Sequence, residues 1–478
     1  MSDTEEVSDL ERWAAAAAWS RRPVLDPLET MMWRSECHPA RSATSCTVIL
    51  LDGEPDWERF RNAHEWGTSL VRRLRQRVLD PALPTTAPAW VDDLHFSLDY
   101  HLRRRPVGGD GSIDDVLEVA RQLALRPFDR SRPLWEGVLV TGLDGGRAAY
   151  VLKIHHALTD SSGTVQLLSL LQSHTRQHTP DKPVLALAED EEEPPTDAIQ
   201  LARDGLRDSL AVAPLRAVQG LRAGLSAALR PQTVLAETLR YGASVRRLAA
   251  APPAPNSPLL SDRDGRSWRF LALSCSLADL RAAGRVGGGT LHDAFVAALV
   301  GGLRRYHTVH GVALEQVPVR LRVSLDRAED PMGGLRFAGA MIAAPAGIED
   351  PADRIAAVRG ELLSLHTERA LDAVRAFAPV VGLLPANVGA AVLGLGVTAD
   401  ASASTMQGPT RATYMAGAEV EGVYPFGSLP GVAIAATLLA HVERACIGVN
   451  VDERAVKDPE VLRTCLQEGL DEMAALAR

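Results

Sequence analysis

The sequence predicts an α/β protein made of two halves that are joined by a long linker. The chain has 478 residues, which is more than one ordinary hydrophobic core accommodates. Both ends of the chain alternate short apolar, β-rich runs with helical stretches, and a proline-rich acidic segment separates them. We therefore predict domains at 1–175 and 266–478, with a linker at 176–265.

The first half supplies the clearest strands. Residues 43–51 and 148–155 are apolar runs with the β-branched content of strands, and the spacing of apolar residues over 57–78 predicts a helix. In the second half, helices are predicted at 291–306 and 459–477. Strands are predicted there at 317–325, 432–439 and 447–451.

The predicted linker has two parts. Residues 174–197 combine prolines with an acidic run at 189–193, which is typical of an exposed segment. Leucines at helical spacing follow over 199–229 with arginines between them, which predicts amphipathic helices broken at Pro214. These helices either pack their leucines across the domain junction or attach to a lipid surface.

Composition excludes several classes of protein. The net charge of -9 argues against broad attraction to nucleic acid. The cysteines are scattered and contain no C-x-x-C pair, so they indicate a reducing cytoplasm, with neither a disulfide framework nor a zinc site. The N-terminus has acidic residues where a signal peptide would carry positive charge, so we expect no export. The uncharged run at 376–399 is long enough to span a bilayer, but prolines and glycines interrupt it, so we interpret it as buried core or a loop-helix hairpin.

Two adjacent histidines lie where a predicted strand ends. The apolar run at 148–154 leads into His155 and His156, and Asp160 follows four positions later. Because side chains alternate along a strand, only one of the two histidines can face a given cleft. A neutral imidazole can take a proton from a hydroxyl, so one histidine is a candidate general base and the other is structural. By themselves, two adjacent histidines also fit a surface or metal-associated pair.

Further motifs follow one another along nearly the whole chain. They are LDPLETMM at 25–32, DYHLR at 99–103, RPFDRSRPLWE at 126–136, HHALTD at 155–160, GTLHD at 289–293, TMQGP at 405–409 and YMAGAEV at 414–420. In this order they resemble the bacterial wax ester synthase/diacylglycerol acyltransferase family. This family is a branch of the chloramphenicol acetyltransferase-like superfamily, which is marked by HHxxxDG.

The resemblance implies two chloramphenicol acetyltransferase-like domains, each a mixed sheet flanked by helices, with the active-site tunnel at their junction. Acyl-CoA enters from one side and an alcohol from the other. His156 is then the base that deprotonates the alcohol as it attacks the thioester, and no bound cofactor, metal or covalent acyl-enzyme is expected. His155 and Asp160 complete the motif. Asp160 is expected to be structural and held by an arginine, for which Arg327 is a candidate.

Other residues are assigned to the substrate pocket or its support. Pro133, Leu134 and Trp135 match a complete family motif and are expected to shape the pocket or core. Four positions depart from the family pattern: Ser161 replaces a glycine, His292 (next to Asp293) and Thr405 replace asparagines, and the usual Gly-Asn pair near 335–336 is absent. We expect the altered residues to line or support the channel.

Because of these departures, the sequence does not decide which acceptor the protein uses. The leading hypothesis is an O-acyltransferase that acts on long-chain alcohols, diacylglycerol or another hydroxylated acceptor, with possible peripheral contact to a lipid surface. One alternative is a specialised-metabolite acyltransferase that takes its acyl group from an acyl carrier protein or uses an amine acceptor. Another is a lipid-binding homologue that has lost activity.

Overall fold

The structure is a computed structural model, and it describes residues 9–19, 22–36, 39–82, 86–178, 197–207, 254–324, 337–366 and 398–478. The strands within these ranges are β1 (Thr44–Leu51), β2 (Gln76–Leu79), β3 (Ala89–Asp92), β4 (Leu102–Pro106), β5 (Trp135–Thr141), β6 (Ala148–His155), β7 (Trp268–Ser276), β8 (Gln316–Ser324), β9 (Phe337–Pro345), β10 (Ala399–Gln407), β11 (Tyr414–Met415), β12 (Ala418–Phe426), β13 (Val432–His441) and β14 (Arg444–Asp452). The α-helices are α1 (Asp9–Ala17), α2 (Pro27–Ser35), α3 (Trp57–Leu70), α4 (Leu98–His101), α5 (Ile113–Leu125), α6 (Ser161–Leu171), α7 (Leu277–Val286), α8 (Leu291–Val309), α9 (Pro351–His366) and α10 (Pro459–Leu476).

The first mixed sheet has the strand order β11-β12-β1-β6-β5-β4. Its central strand β6 pairs antiparallel with both β1 and β5 and is buried along its whole length. Helices α3 and α6 pack against each other over one face of this sheet, whereas α5 packs against β1 and β6. Coverage of both faces explains why β6 reads as a continuous apolar run rather than an alternating one.

The second mixed sheet has the order β7-β14-β13-β10-β8-β9. Helix α8 packs against α7, α9 and α10, and its middle is buried in the core of this half. A capping box starts α8: the Thr290 hydroxyl accepts a hydrogen bond from the Asp293 N–H, and the Asp293 carboxylate accepts one from the Thr290 N–H. The two six-stranded sheets and their helices confirm the α/β class predicted from the sequence.

The second half of the chain contributes two strands to the first sheet. Strands β11 and β12 come from the last sixth of the sequence, yet β12 pairs antiparallel with β1 in the first sheet. Helix α5 packs against β1 on one side and against β7 of the second half on the other. The sheets therefore meet along strands that are far apart in sequence.

Several predicted elements differ in extent from the observed ones. The helix predicted over 57–78 ends at Leu70, and β2 begins at Gln76. The DYHLR segment begins with the short helix α4 before β4. In the predicted linker, 198–207 is helical with Leu201 buried and Ile199 exposed. The rest of the amphipathic segment, most of the uncharged run at 376–399, Arg327 and the 335–336 pair lie outside the described residues.

No single helix among the described residues is long and apolar enough to cross a membrane. Helices α7 and α8, which are bent by 93° at their break, meet the length and composition requirement only when they are taken together.

Candidate active site

The two histidines lie at the end of β6, where neighbouring strands hold the backbone. The His155 N–H donates to the carbonyl of Leu134 at 3.1 Å, and the His156 N–H donates to the carbonyl of Ala43 at 2.8 Å. Both side chains are buried, with 0% and 2% of their surface exposed. The chain just before β1 and the chain just before β5 thus fix the backbone of both histidines.

The His155 ring is held by its surroundings. Its Nδ1 accepts a hydrogen bond from the Ala157 N–H at 2.9 Å, and its Nε2 lies 3.3 Å from the Glu36 carboxylate. The rings of Trp33 and Phe128 contact it edge-on, each with its centroid 6.0 Å away. Burial raises the pKa of Glu36, but the His155 imidazole, the positive charge of Arg130 and the Ala43 backbone together lower this pKa below its ordinary value. His155 therefore has the environment of a structural residue.

Within the described residues, the His156 ring lacks the hydrogen bonds of a fixed side chain. Neither ring nitrogen makes a well-formed hydrogen bond to the described part of the chain, although the Thr159 backbone lies near enough to favour the protonated ring slightly. Burial, and after it the positive charge of Arg322, lowers the pKa of His156 to about 3. A neutral imidazole with an available lone pair is thus present at physiological pH, as a general base requires.

Asp160 joins the two halves of the molecule. It is the N-cap of α6, where its carboxylate accepts a hydrogen bond from the Gly163 N–H at 3.0 Å. Its negative charge also supports the charged state of Arg322 on β8. The sequence pointed to Arg327 as the arginine partner of Asp160; within the described residues, the arginine that interacts with Asp160 is Arg322.

A cavity of about 520 Å³ lies next to His156, between strands of both sheets and α6. Hydroxyl side chains dominate its polar lining: Ser45, Thr47, Ser161, Thr164, Ser402, Ser404, Ser428 and Thr437. Arg322 and Met406 also line it. No group of three or more His, Cys, Asp or Glu within the described ranges is placed to hold a metal ion.

Of the predicted pocket residues, Ser161 lines this cavity and is the first residue of α6. Pro133, Leu134 and Trp135 lie behind the histidines instead. Leu134 is buried in the core and supports His155 through its carbonyl. The Trp135 indole donates to the carbonyl of Leu74 at 2.8 Å and lines a second, apolar pocket.

The two residues that stand where the family has asparagine are in contact with each other. His292 Nδ1 is 2.8 Å from the Thr405 hydroxyl, and the two residues are 113 positions apart in sequence. On β10, Ser404 and Met406 line the cavity, while Thr405 between them meets the start of α8. His292 and Thr405 therefore support the cavity wall from behind, and Asp293 forms the cap of α8.

Sequence reasoning missed most of the cavity wall. The hydroxyl residues of β1, β10 and β13 that line the cavity lie outside the sequence motifs. Arg322 had a detectable signal, since Arg320 and Arg322 interrupt an otherwise apolar predicted strand. A cation within such a strand needs a partner, which Asp160 supplies.

The chain is similar to known proteins over most of its length. The family model of the wax ester synthase/diacylglycerol acyltransferase catalytic domain matches residues 24–295, and that of the WS/DGAT C-terminal domain matches residues 334–474. The chain belongs to this family. It is therefore an ester-forming acyltransferase, and the family predicted from the motifs is confirmed.

Individual relatives support the assignment. A Mycobacterium tuberculosis protein, named as a candidate diacylglycerol O-acyltransferase, is 36% identical over 465 residues, covering 95% of this chain and 92% of the relative. The wax ester synthase/diacylglycerol acyltransferase of Marinobacter aquaeolei VT8 superposes with a TM-score of 0.64 at 19% identity, covering 95% of this chain and 99% of that one. The first condensation domain of the calcium-dependent antibiotic synthetase gives 0.60 at 17% identity, covering 96% of each chain. These two structures confirm the predicted two-domain, chloramphenicol acetyltransferase-like fold.

Proposed function

We propose that this enzyme transfers an acyl group from acyl-CoA to the hydroxyl of an alcohol, with His156 as the general base. The observation that carries the proposal is the state of His156: a buried neutral imidazole that lines a cavity, with no well-formed hydrogen bond to the described residues. His155, one residue earlier, is bound to its surroundings and does not line this cavity. The geometry therefore favours His156 over His155 as the reacting group.

In the proposed reaction, His156 accepts the hydroxyl proton while the oxygen attacks the thioester carbonyl. The C–S bond then breaks, and the imidazolium returns its proton to the departing thiolate of coenzyme A. One residue acts first as base and then as acid, so the protein ends each turnover in its starting protonation state. The low pKa of the buried imidazole makes the imidazolium a strong acid, which favours the second proton transfer.

The cavity wall supplies donors for the charge that develops on the carbonyl oxygen. Ser161 is the first residue of α6, where backbone dipoles also favour negative charge. Arg322 places a positive charge on the opposite wall, from the second half of the molecule. We propose that these groups stabilise the tetrahedral intermediate, with Asp160 holding both Arg322 and the start of α6 in place.

The proposal is tested by following thiol release from acyl-CoA with primary alcohols and diacylglycerol as acceptors. His156→Gln keeps a neutral polar side chain and should lower kcat by about 10²–10⁴-fold. His95→Gln makes the same chemical change at an exposed histidine outside the cavity and should keep full activity. Thermal unfolding of each variant checks that the fold is retained.

Two results would decide against parts of the proposal. If folded His156→Gln keeps more than a tenth of the wild-type kcat, His156 is not the base. If thiol is released only from an acyl carrier protein and never from acyl-CoA, the donor assignment fails while the role of His156 stands. The carrier arm also tests the alternative role in specialised metabolism.

A further inference from the structure

A carboxylate lies next to the histidine motif but takes no part in the proposed proton transfer. Glu36 is the C-cap of α2, and 18% of its side chain is exposed. Its pKa lies below the ordinary value, so the side chain is charged at neutral pH. The cavity at His156 is lined by other residues. Because burial penalises a charge, this carboxylate is held by specific partners.

The two carboxylate oxygens of Glu36 face two different segments of the chain. Oε2 lies 3.3 Å from His155 Nε2. Because His155 Nδ1 accepts the Ala157 N–H, the ring carries a proton on Nε2, on the side of the carboxylate. Oε1 accepts hydrogen bonds from the hydroxyls of Thr44 at 3.4 Å and Ser42 at 3.5 Å. Glu36 therefore connects the imidazole of His155 to the segment that leads into β1.

Both of these partners hold the backbone of His156. Ala43, between the two hydroxyl residues, accepts the His156 N–H with its carbonyl at 2.8 Å, and its backbone also lowers the pKa of Glu36. His155 Nδ1 accepts the Ala157 N–H at 2.9 Å. These two N–H groups belong to the planar peptide units on either side of the His156 Cα. Holding both units fixes the backbone dihedrals of His156 and thereby the direction of its side chain.

Helix α2 gives Glu36 a fixed support. A capping box starts the helix, and Trp33 in its last turn is 1% exposed. The Trp33 indole donates to the Asp80 carboxylate at 2.8 Å, and its ring contacts the ring of His155. The Arg130 guanidinium lies 3.8 Å from the centroid of the Trp33 ring. The end of α2 is thus anchored on the same side of the motif as the carboxylate.

We propose that Glu36 is a positioning residue for the acyl transfer: it holds the peptide units on both sides of His156 and so directs the imidazole into the cavity. This inference rests on the proposed function, because it takes His156 as the base. Glu36 lies outside the cavity wall, so it acts through its neighbours and is not itself a catalytic group. A displacement of about 1 Å in a reacting group lowers a rate by about 10²-fold, so the contribution should appear in kcat.

Three substitutions at Glu36 separate shape from charge. Glu36→Ala removes both oxygens. Glu36→Gln keeps the length of the side chain, with an oxygen that accepts from His155 and an amide that donates to the hydroxyls. Glu36→Asp keeps the charge but withdraws the oxygens by one methylene, and it provides a test if Glu36→Ala does not fold.

Glu472→Ala is the matched control. The Glu472 side chain on α10 is 19% exposed and pairs with buried Arg354, much as Glu36 lies against buried His155. Both partners of this pair lie in the second half and outside the cavity wall. The substitution therefore removes a carboxylate of similar burial and should lower stability without lowering kcat.

The first experiment measures kcat and KM for thiol release from one acyl-CoA with one primary alcohol. We expect Glu36→Ala to lower kcat by about 10–100-fold with KM close to the wild-type value. Glu36→Asp should have a smaller effect, Glu36→Gln should keep most of the kcat, and Glu472→Ala should keep all of it. In His156→Gln, the added Glu36→Ala should cause no further loss, because the group that it positions is absent. An equal loss in both backgrounds would overturn the inference.

Hydrogen–deuterium exchange separates this inference from the proposed function, because it needs no turnover. Peptides that span residues 153–160 report on the amides of His156 and Ala157. We expect these amides to exchange at least about tenfold faster in Glu36→Ala, and near the wild-type rate in Glu36→Gln and Glu472→Ala. If this pattern appears but His156→Gln keeps full turnover, the positioning stands and the proposed function falls. Wild-type exchange and wild-type kcat in folded Glu36→Ala and Glu36→Asp would overturn the inference.

Discussion

His155 and His156 are adjacent in sequence but have different surroundings. The His155 ring accepts the Ala157 N–H and approaches the Glu36 carboxylate, and all of these contacts come from the first half of the chain. The His156 ring lines a cavity whose walls include strands of the second half. The comparison shows that the first half holds the motif in place, whereas the reactive site exists only once the second half packs against it.

The largest effect is expected when the interaction between Arg322 and Asp160, which lie in different halves of the chain, is removed. Arg322→Met removes the cation that interacts with buried Asp160, and we expect a loss of about 3 kcal/mol in the free energy of unfolding. Urea unfolding measures the loss. Arg327→Met, at the position that the sequence suggested, is the matched variant. A larger loss in Arg327→Met than in Arg322→Met would contradict the assignment of Arg322.

Acid sensitivity tests the burial of His156. Its folded pKa of about 3 lies below the ordinary value of 6.5, so the unfolded chain binds a proton first as the pH falls. The stability contributed by the neutral ring is fully present above about pH 7 and is lost progressively toward pH 3. Between pH 7 and pH 5 the loss from His156 should be about 2 kcal/mol, and this part of the total loss should be absent in His156→Gln.

The measurement is the free energy of unfolding by urea at both pH values for the wild type and His156→Gln. His64, whose folded pKa is about 4, remains in both proteins, so its contribution cancels in the difference. Equal losses in the two proteins would show that His156 titrates near its ordinary pKa and is not shielded from water.

The structural role of His155 predicts a smaller effect. His155→Leu leaves the buried Ala157 N–H without its acceptor, and we expect a loss of about 1–2 kcal/mol in the free energy of unfolding. His155→Asn restores an acceptor and should recover part of this loss. At a temperature where both His155 variants are folded, the kcat of each should fall less than the kcat of His156→Gln. A loss of kcat as large as that of His156→Gln without a loss of stability would make His155 the reacting group.

The His292–Thr405 contact tests support of the cavity wall from the second half. A double-mutant cycle with His292→Ala and Thr405→Val should give a coupling of about 1 kcal/mol in the free energy of unfolding. Because Ser404 and Met406 line the cavity beside Thr405, each single variant should also raise KM more than it lowers kcat. Additive effects on both stability and KM would show that the contact contributes nothing.

Elements with a strong local pattern were predicted closely. The strand expected over 43–51 is β1, the run that ends at His155 is β6, and the closing helix is α10. Periodicity succeeds at these places because burial of one helix face, or of both strand faces, leaves its mark on consecutive residues. The same rule predicted too long a helix at 57–78, because α3 ends at Leu70 and β2 begins at Gln76.

Contacts between distant segments could not be predicted from any local pattern. Strand β12 pairs with β1 across more than 370 residues, for example at Cys46 and Phe426. His292 meets Thr405, and Arg322 interacts with Asp160. Each partner looks ordinary in its own segment, and only the packing of the two sheets brings the members of each pair together.

By itself, the sequence determined the α/β class, the family and the strand that carries His155 and His156, because ordered motifs and apolar runs are written in consecutive residues. The tertiary structure decided which histidine is bound to its neighbours and which lies in a cavity, which arginine interacts with Asp160, and which carboxylate lies against His155. These properties depend on burial and on charge partners from other segments. A shifted pKa, a cavity wall and an interaction between Arg322 and Asp160 arise only when residues far apart in sequence are packed together.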